Sequence, residues 1–371
     1  MNSIAIFGVF MGDEAKARVT HWMAKDYDYI VRFGGSSNAG HTIYDNGLKI
    51  VRHLIPSADF SALNNKAFLG SGMVINVEEL LSEVKDTENM FPGAASRIIV
   101  DPDAFVIKQH HIIEDREKNV GRIGSTGKGV TPSYRDKINR CGIKIQNLID
   151  QNDETINELK KLGVQFKYVL ELKEEFKKSK IIFEGSQSIL LDPNFGSYPY
   201  VTSGECGLGG IINSGFGFVM PHKVYGICKA YSTRVGEGPF PTEIFGEEAE
   251  KLRELGGEYG ATTGRPRRIG HLDLPALKYS CIKGGITDLV ITKFDVLNNI
   301  TSVPVATSYD KEPVSGKDFF TSKPNYTNVD GWKDAKDIKQ LSKFIELVES
   351  NVGVPVKFIS CGTGKSDLIS I

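Results

Sequence analysis

The chain has 371 residues, with 45 basic and 46 acidic side chains and a formal net charge of −1 at pH 7. A balance this even argues against a dedicated binder of nucleic acid or of anionic membranes. The five cysteines are widely spread and form no C-x-x-C pair, which argues against a disulfide framework or a zinc site. No apolar run approaches the roughly 18 residues that span a bilayer, and the N-terminus does not read as a signal peptide. We therefore expect a cytoplasmic protein that keeps its thiols reduced.

Short apolar runs recur along the chain, and each is followed by a loop rich in glycine and polar side chains. These runs cover residues 4–10, 29–33, 180–183, 223–230 and 288–292. Continuous apolar runs suit parallel strands that are buried on both faces. Helical patterns lie between them, for example at residues 14–25 and 337–349. Strands that alternate with helices predict an α/β fold, with a large, mostly parallel central sheet flanked by helices.

The loops after these strands are expected to form one composite site, because ligands collect where the strands of such a sheet end. The first loop, residues 12–18, leads into a helix whose N-terminus, together with Lys16, can hold a phosphate. Asp13 in this loop can bind Mg²⁺ or act as a base, or it can simply cap the helix. His41 follows the second strand and is a candidate for acid–base work, with a structural hydrogen bond as the alternative. We expect the two strands to be neighbours, so that Asp13 and His41 converge.

Two later loops carry recognition chemistry. Arg265, Arg267 and Arg268 surround one turn, and the arginine fork matches carboxylates in a bidentate manner, although a solvated basic loop has the same composition. Lys293 and Asp295 belong to a T-K-x-D segment that follows an apolar strand. Segments of this form bind guanine, because the Asp carboxylate accepts two N–H donors that adenine cannot supply.

A glycine-rich segment near the C-terminus, residues 362–366, approaches the phosphate-binding pattern G-x-x-x-x-G-K-[ST]. Ile359 occupies the place of the required first glycine. We interpret the segment either as a polar turn near a nucleotide site or as a plain surface turn.

Taken in order, these loops resemble the adenylosuccinate synthetase family over nearly the whole chain. The matching segments are GDE at 12–14 with Lys16, NAGHT at 38–42, IGSTGKG at 123–129, FEGSQ at 183–187, YPYVTS at 198–203, CKAY at 228–231, TRVG at 233–236, GPFPTE at 238–243, TTGRPRR at 262–268 and TKFDVL at 292–297. The resemblance implies a P-loop-NTPase-like fold and one catalytic domain over residues 1–371. It implies a ligase that phosphorylates C6 of a 6-oxopurine nucleoside monophosphate with a nucleoside triphosphate, and then replaces the phosphate by L-aspartate.

The resemblance also implies roles for single residues. Asp13 corresponds to the base at purine N1 and, with the carbonyl of Gly40, to a Mg²⁺ ligand, whereas His41 corresponds to the acid beside the transferring phosphoryl group. Gln187 is expected to face the purine. The other residues implied to bind nucleotide or phosphate are Gly12, Glu14, Lys16, Asn38, Thr126, Arg140, Thr202, Lys293 and Asp295. Those implied to bind L-aspartate are Thr262, Arg265 and Arg267. In the family the residue matching Arg140 reaches the 5′-phosphate of the other subunit, which implies a homodimer.

Some positions depart from the usual family pattern. Ala15 and Ala17 replace two glycines of the first loop, where alanine fits a helical first turn but disfavours positive φ. Further departures are Gly34, Ser36, Ser37 and Ser188. They suggest a divergent member, and a viral branch of the family uses dGMP in place of IMP. Some members of that branch replace the loop Asp by Ser, whereas Asp13 is kept here.

Several alternatives stay open at this point. IMP and dGMP are equally supported as the purine substrate. Lys293 and Asp295 favour GTP as the donor, with ATP or dATP as the alternative. The departures also allow a catalytically inactive, nucleotide-binding regulator. A GTPase switch protein is a further possibility, but this chain lacks the complete phosphate-binding loop that such a protein needs.

Overall fold

The computed structural model describes residues 3–45, 48–62, 64–260 and 264–371. Within these ranges the strands are β1 (Ser3–Gly8), β2 (Tyr29–Gly35), β3 (His41–Asp45), β4 (Leu48–Arg52), β5 (Lys66–Ile75), β6 (Ile98–Val100), β7 (Phe105–Val106), β8 (Gln165–Phe166), β9 (Ile181–Ser188), β10 (Lys223–Lys229), β11 (Ser232–Arg234), β12 (Arg268–Gly270), β13 (Leu272–Asp273), β14 (Asp288–Thr292), β15 (Ser302–Tyr309), β16 (Pro324–Asp330), β17 (Val356–Ser360) and β18 (Leu368–Ser370). The α-helices are α1 (Lys16–Ala24), α2 (Val77–Met90), α3 (Gln109–Lys118), α4 (Val120–Ile123), α5 (Val130–Ile138), α6 (Ile145–Asp150), α7 (Glu154–Leu162), α8 (Lys173–Lys178), α9 (Leu208–Ile211), α10 (Gly246–Gly256), α11 (Leu274–Gly284) and α12 (Ile338–Val352).

Eleven of the described strands form one sheet, in the order β18, β17, β14, β10, β1, β9, β2, β5, β6 and β8, with β7 pairing the second part of β5. The pairs are parallel except for β17 with β18 at one edge. The predicted fold class is therefore confirmed. The five apolar runs become β14, β10, β1, β9 and β2, which are consecutive neighbours in the centre of the sheet.

The expected adjacency of β1 and β2 is wrong. Strand β9 lies between them and pairs in parallel with both, with Ile182 opposite Ile4 on one side and Ile30 on the other. An apolar run predicts a buried strand, but it does not predict which other run becomes its partner.

The core lies on both faces of the sheet. Alternate residues of β1 enter different clusters: Ala5 and Phe7 belong to one cluster, and Ile4 and Ile6 to the other. The first cluster includes Leu341, Phe344 and Val348 of α12. The second includes Val19 and Trp22 of α1, and Leu80 and Val84 of α2. Burying each large apolar side chain in this way contributes roughly 1.5–3 kcal/mol, so the central strands are held rigidly and their carboxyl ends are fixed in space.

Smaller sheets stand beside the central one. Strands β11 and β12 pair antiparallel, β13, β15 and β16 form a three-stranded sheet, and β3 pairs antiparallel with β4. His41 is the first residue of β3, so it lies on this hairpin and not on the central sheet. Among the helices of the described residues, none is long and apolar enough to cross a membrane.

Candidate active site

A cleft of about 520 Å³ lies where the central strands end. Its walls include residues 12, 13 and 15–18 after β1, residues 38–42 after β2, and Ser186 and Gln187 at the end of β9. Residues 235–237 after β11, and Lys293, Asp295 and Val296 after β14, also line it. The structure thus brings all five predicted loops to one cleft.

Most of the residues singled out from the sequence line this cleft. They are Gly12, Asp13, Lys16, Asn38, Gly40, His41, Thr126, Gln187, Thr202, Arg267, Lys293 and Asp295. Glu14, Arg140 and Arg265 do not line it, and Thr262 lies outside the described residues. Arg140 is exposed in the turn after α5. Arg265 is also exposed, and its Nη2 lies 3.1 Å from Oε1 of Glu237, which does line the cleft.

The Glu14 carboxylate lies beneath the first loop, on the side away from the cleft, and stabilises it. It is buried, accepts a hydrogen bond of 2.9 Å from the Gly12 amide, and pairs with the Lys16 ammonium at 2.9 Å. The Ser188 hydroxyl donates to it at 2.8 Å. Gly8 is required beside it, because a Cβ there would collide with this carboxylate. Burial raises the pKa of Glu14, but Lys16 and Ser188 outweigh that effect and lower it. Ser188, a departure from the family pattern, is therefore part of the support of this loop.

The first loop adopts a left-handed backbone at two residues that are not glycine. φ is +60° at Asp13 and +70° at Ala15. Ala15 is the N-cap of α1 and makes no side-chain cap, so the interpretation of Asp13 as a helix cap is wrong. The expectation that alanine fits a helical first turn holds for Ala17, which lies within α1, but not for Ala15. A left-handed alanine costs roughly 1–2 kcal/mol.

Arg267 bridges two carboxylates at the edge of the cleft. Its Nε lies 2.7 Å from Oδ2 of Asp13, and its Nη1 donates to Oε2 of Glu258 at 2.6 Å. Asp13 is partly exposed, whereas Glu258 is completely buried. The loop after β1 and the arginine-rich turn are thereby connected by a single side chain.

His41 is held by a buried carboxylate from the neighbouring strand β9. Its Nδ1 lies 2.6 Å from Oε1 of Glu184, which also accepts hydrogen bonds from the amide and the hydroxyl of Ser57, both at 2.7 Å. Arg32 contacts the same imidazole, with its Nη2 2.6 Å from Nδ1. Burial lowers the pKa of His41 and Arg32 lowers it further, against the opposing effect of Glu184. Burial raises the pKa of Glu184, but His41 and Arg32 outweigh that effect and lower it to about 2, so this carboxylate is ionised beside the imidazole.

The loop after β14 contacts the first loop directly. The Thr292 hydroxyl donates to the Glu14 carbonyl at 3.1 Å, and the Lys293 ammonium contacts Oε1 of Glu258 at 3.0 Å. Asp295 lines the cleft, and its partial burial raises its pKa. Gly362 also lines the cleft and accepts a hydrogen bond of 3.3 Å from Arg18. Of the two interpretations of residues 362–366, the polar turn near the site is therefore the one that the structure supports.

Comparison with known proteins identifies the family. The sequence profile of adenylosuccinate synthetase matches residues 5–177 and 153–369, in two overlapping segments. The chain belongs to the adenylosuccinate synthetase family. It is 42% identical to the adenylosuccinate synthetase of Petrotoga mobilis, with 100% of this chain and 97% of the relative covered. It is 38% identical to that of Thermotoga maritima, with 100% of both chains covered.

Solved structures agree with this assignment. The fully ligated adenylosuccinate synthetase from Plasmodium falciparum matches with a TM-score of 0.89 and 29% identity over 100% of both chains. The cyanophage S-2L succinoaminodeoxyadenylate synthetase, bound to dGMP and to dATP as an energy donor, matches with a TM-score of 0.74 over 100% of this chain and 95% of that chain. At 19% identity, this second likeness shows the fold alone. The chain is accordingly a C–N ligase of purine nucleotide biosynthesis that depends on a nucleoside triphosphate.

Three charged residues of the site were given no role by sequence reasoning. Glu184 and Lys229 lie inside matched segments. Glu184 directly follows the apolar start of β9 and Lys229 is the last residue of β10, so a charge at the end of an apolar run was a usable signal. Glu258 lies in a glycine-rich loop before the arginine-rich turn, without a comparable pattern around it. Only the three-dimensional structure shows that Glu258 belongs to the site.

Proposed function

We propose that the chain joins L-aspartate to C6 of IMP with GTP as the donor, and that residues 1–371 act as one catalytic domain. The relatives are named for adenylosuccinate, which is the compound formed when aspartate replaces the C6 oxygen of IMP. The observation that carries the proposal is that Asp13, His41 and Gln187 line the same cleft as the guanine-type segment that includes Asp295.

In the first step, Asp13 takes the N1 proton of IMP, and the C6 oxygen attacks the γ-phosphorus of GTP. The bond from that phosphorus to GDP breaks, and 6-phosphoryl-IMP forms. His41 follows β2 and is held by Glu184, so it lies on the other side of β9 from the Asp13 loop, and the two side chains can approach the reacting groups from different walls. Preorganised groups of this kind stabilise the charge that develops during phosphoryl transfer.

In the second step, the amine of L-aspartate attacks C6 and phosphate leaves. Arg267 and Arg265 are the proposed partners of the aspartate carboxylates, together with Thr262. Arg267 lines the cleft and Arg265 lies beside Glu237 at its edge, which supports this role. An arginine fork binds carboxylates in a geometry that lysine does not reproduce.

Magnesium fits the oxygen donors of the cleft. The Asp13 carboxylate and the Gly40 carbonyl both belong to residues that line it, and such hard oxygen ligands are those that Mg²⁺ prefers. These two residues would hold the ion, which neutralises phosphate charge when bound. Lys16 and the first turn of α1 would face the same phosphates.

A substrate panel tests the proposal. IMP, dIMP, GMP and dGMP are each combined with GTP, ATP or dATP in the presence of L-aspartate, and product masses are measured. We expect adenylosuccinate to form only when IMP, GTP and L-aspartate are all present. Turnover of dGMP in preference to IMP would replace the purine assignment, and preference for ATP or dATP would replace the donor. Nucleotide binding without any turnover would identify the inactive regulator.

The proposed homodimer has its own test. Arg140 is exposed and does not line the cleft of its own chain. We propose that it completes the 5′-phosphate site of the partner subunit. Mixing Arg140→Ala with Asp13→Ala chains should then restore part of the activity, because a hybrid dimer contains one site with both native residues. Arg140 acting within its own chain predicts no recovery.

A further inference from the structure

One buried carboxylate lies between the donor-nucleotide loop and the arginine-rich turn. Glu258 has no exposed side-chain surface. Its Oε1 is 2.8 Å from the Lys229 ammonium and 3.0 Å from the Lys293 ammonium, and its Oε2 is 2.6 Å from Nη1 of Arg267. The Tyr231 hydroxyl donates to Oε1 at 2.6 Å. A single anion is therefore shared by three cations from three separate segments of the chain.

Two of these cations belong to the walls of the cleft. Lys293 and Arg267 line it, whereas Lys229 is buried at the end of β10. Lys293 has a left-handed backbone with φ of +62°, and its ammonium also contacts the Gly256 carbonyl. The Lys293 side chain is thus held down by Glu258 and the chain just before it, which fixes the start of the segment that presents Asp295.

Glu258 also closes the base of the arginine-rich turn. Its carbonyl accepts a hydrogen bond of 2.9 Å from the Arg267 amide, in addition to the side-chain ion pair. Between the two residues, Tyr259 pairs with Pro266 as an isolated bridge. The proposed aspartate-binding residues are therefore attached at their base to Glu258, and Arg267 continues from there to Asp13.

We propose that Glu258 is a positioning residue that couples binding of the donor nucleotide to the geometry of the aspartate-binding turn. The inference rests on the proposed function. A nucleotide that draws Lys293 towards its base or phosphates weakens the ion pair between Lys293 and Glu258. The position of Arg267 then changes as well, because Arg267 is held by the same carboxylate. Conversely, a substrate carboxylate that draws Arg267 away leaves Glu258 still paired with Lys229 and Lys293, so the departure does not strand a buried charge.

A purely structural role is the competing explanation. Burial lowers the pKa of Lys229 to about 8, with the opposing effect of Glu258 being smaller. Glu258 could then serve only to neutralise Lys229 in the interior. The two explanations predict different results when the charges of Glu258 and Lys229 are removed together.

The experiment compares Glu258→Gln, the double variant Glu258→Gln with Lys229→Met, and the control Glu243→Gln. Glu243 pairs with Arg268, the next arginine of the same turn, and neither residue lines the cleft. GDP binding is measured by calorimetry with and without saturating IMP and L-aspartate, a mixture that cannot turn over. The KM for L-aspartate and the melting temperature are measured alongside.

We expect Glu258→Gln to raise both the Kd for GDP and the KM for L-aspartate at least tenfold. The ratio of the two GDP Kd values should move towards one, because the coupling is lost. The double variant should recover the wild-type melting temperature without recovering these constants, and Glu243→Gln should change them less than twofold. Recovery of the binding constants in the double variant, or a Glu258→Gln variant altered only in melting temperature, would overturn the proposal. Calorimetry measures GDP binding without turnover. Failure of the proposed function would therefore appear in the substrate panel, and failure of the proposed coupling would appear in the GDP Kd values.

Discussion

The Nε atom of Arg267 lies 2.7 Å from Oδ2 of Asp13, while Nη1 of the same guanidinium contacts Glu258. Lysine can satisfy one of these two carboxylates but not both. We expect Arg267→Lys to raise the KM for L-aspartate at least tenfold and to lower kcat, as measured by steady-state kinetics. The matched control is Arg268→Lys, which changes an arginine outside the cleft. A normal KM and kcat in Arg267→Lys would contradict the role given to the bridge.

Glu184 orients His41, and its replacement should affect catalysis more than substrate binding. Glu184→Gln keeps a hydrogen-bonding group near Nδ1 but removes the charge, so kcat should fall by roughly 10²–10³ while the KM for IMP changes little. Glu83→Gln is the control, because Glu83 is also buried and accepts the amides of His53, Leu54 and Ile55 next to the segment held by Glu184. It should lower stability and leave kcat near wild type. Equal losses of kcat in both variants would show that His41 positioning is not the cause.

The left-handed alanine predicts opposite effects from two similar substitutions. Ala15→Gly removes a steric cost of about 1 kcal/mol and adds an unfolded-state entropy cost of about 0.5 kcal/mol, so the free energy of unfolding should rise by roughly 0.5 kcal/mol. Ala17→Gly lies within α1, where glycine costs about 1 kcal/mol, so it should destabilise. Urea denaturation of both variants distinguishes the signs. Destabilisation by Ala15→Gly would mean that Ala15 is not strained.

Burial of Asp273 makes stability depend on pH. Its pKa is raised from 3.8 to about 6 by burial, against the hydrogen bond from Tyr309. The folded chain therefore keeps a proton that the unfolded chain releases, and this contribution to stability is present below about pH 4 and is lost as the pH rises to about 6. Asp273→Asn should remove about 3 kcal/mol of the difference in unfolding free energy between pH 4 and pH 7. Exposed Asp330→Asn is the control, and an unchanged difference in Asp273→Asn would contradict the shift.

Periodicity alone located the central elements well. The apolar run at residues 288–292 has the bounds of β14, and the amphipathic run at 337–349 became α12, with Leu341, Phe344 and Val348 in the core. Strand order was not accessible, because an apolar run carries no label for its partner. The insertion of β9 between β1 and β2 follows from tertiary packing of segments that are far apart in sequence.

The site was predictable where a residue's chemistry depends on its own segment. Asp13 and His41 follow predicted strands and carry reactive groups, so their positions indicated the cleft, whereas Gln187 was implied only by the family resemblance. Glu258 could not be found in this way, because its importance depends on Lys229, Lys293 and Arg267, which the sequence does not bring together. The strain at Ala15 was missed for a smaller reason: the helix begins at Lys16, two residues later than predicted.

The place of β9 has a consequence for how the protein is made. Strands β1 and β2 leave the ribosome early, yet the strand that joins them begins only at Ile181. At translation rates of about 5–20 residues per second, β9 is synthesised roughly 10–30 s after β1 and β2. During that interval β1 and β2 each present an unpaired edge, which is the kind of surface that invites wrong pairing with other chains. The nascent chain is thus most in need of chaperone protection before its midpoint has been synthesised.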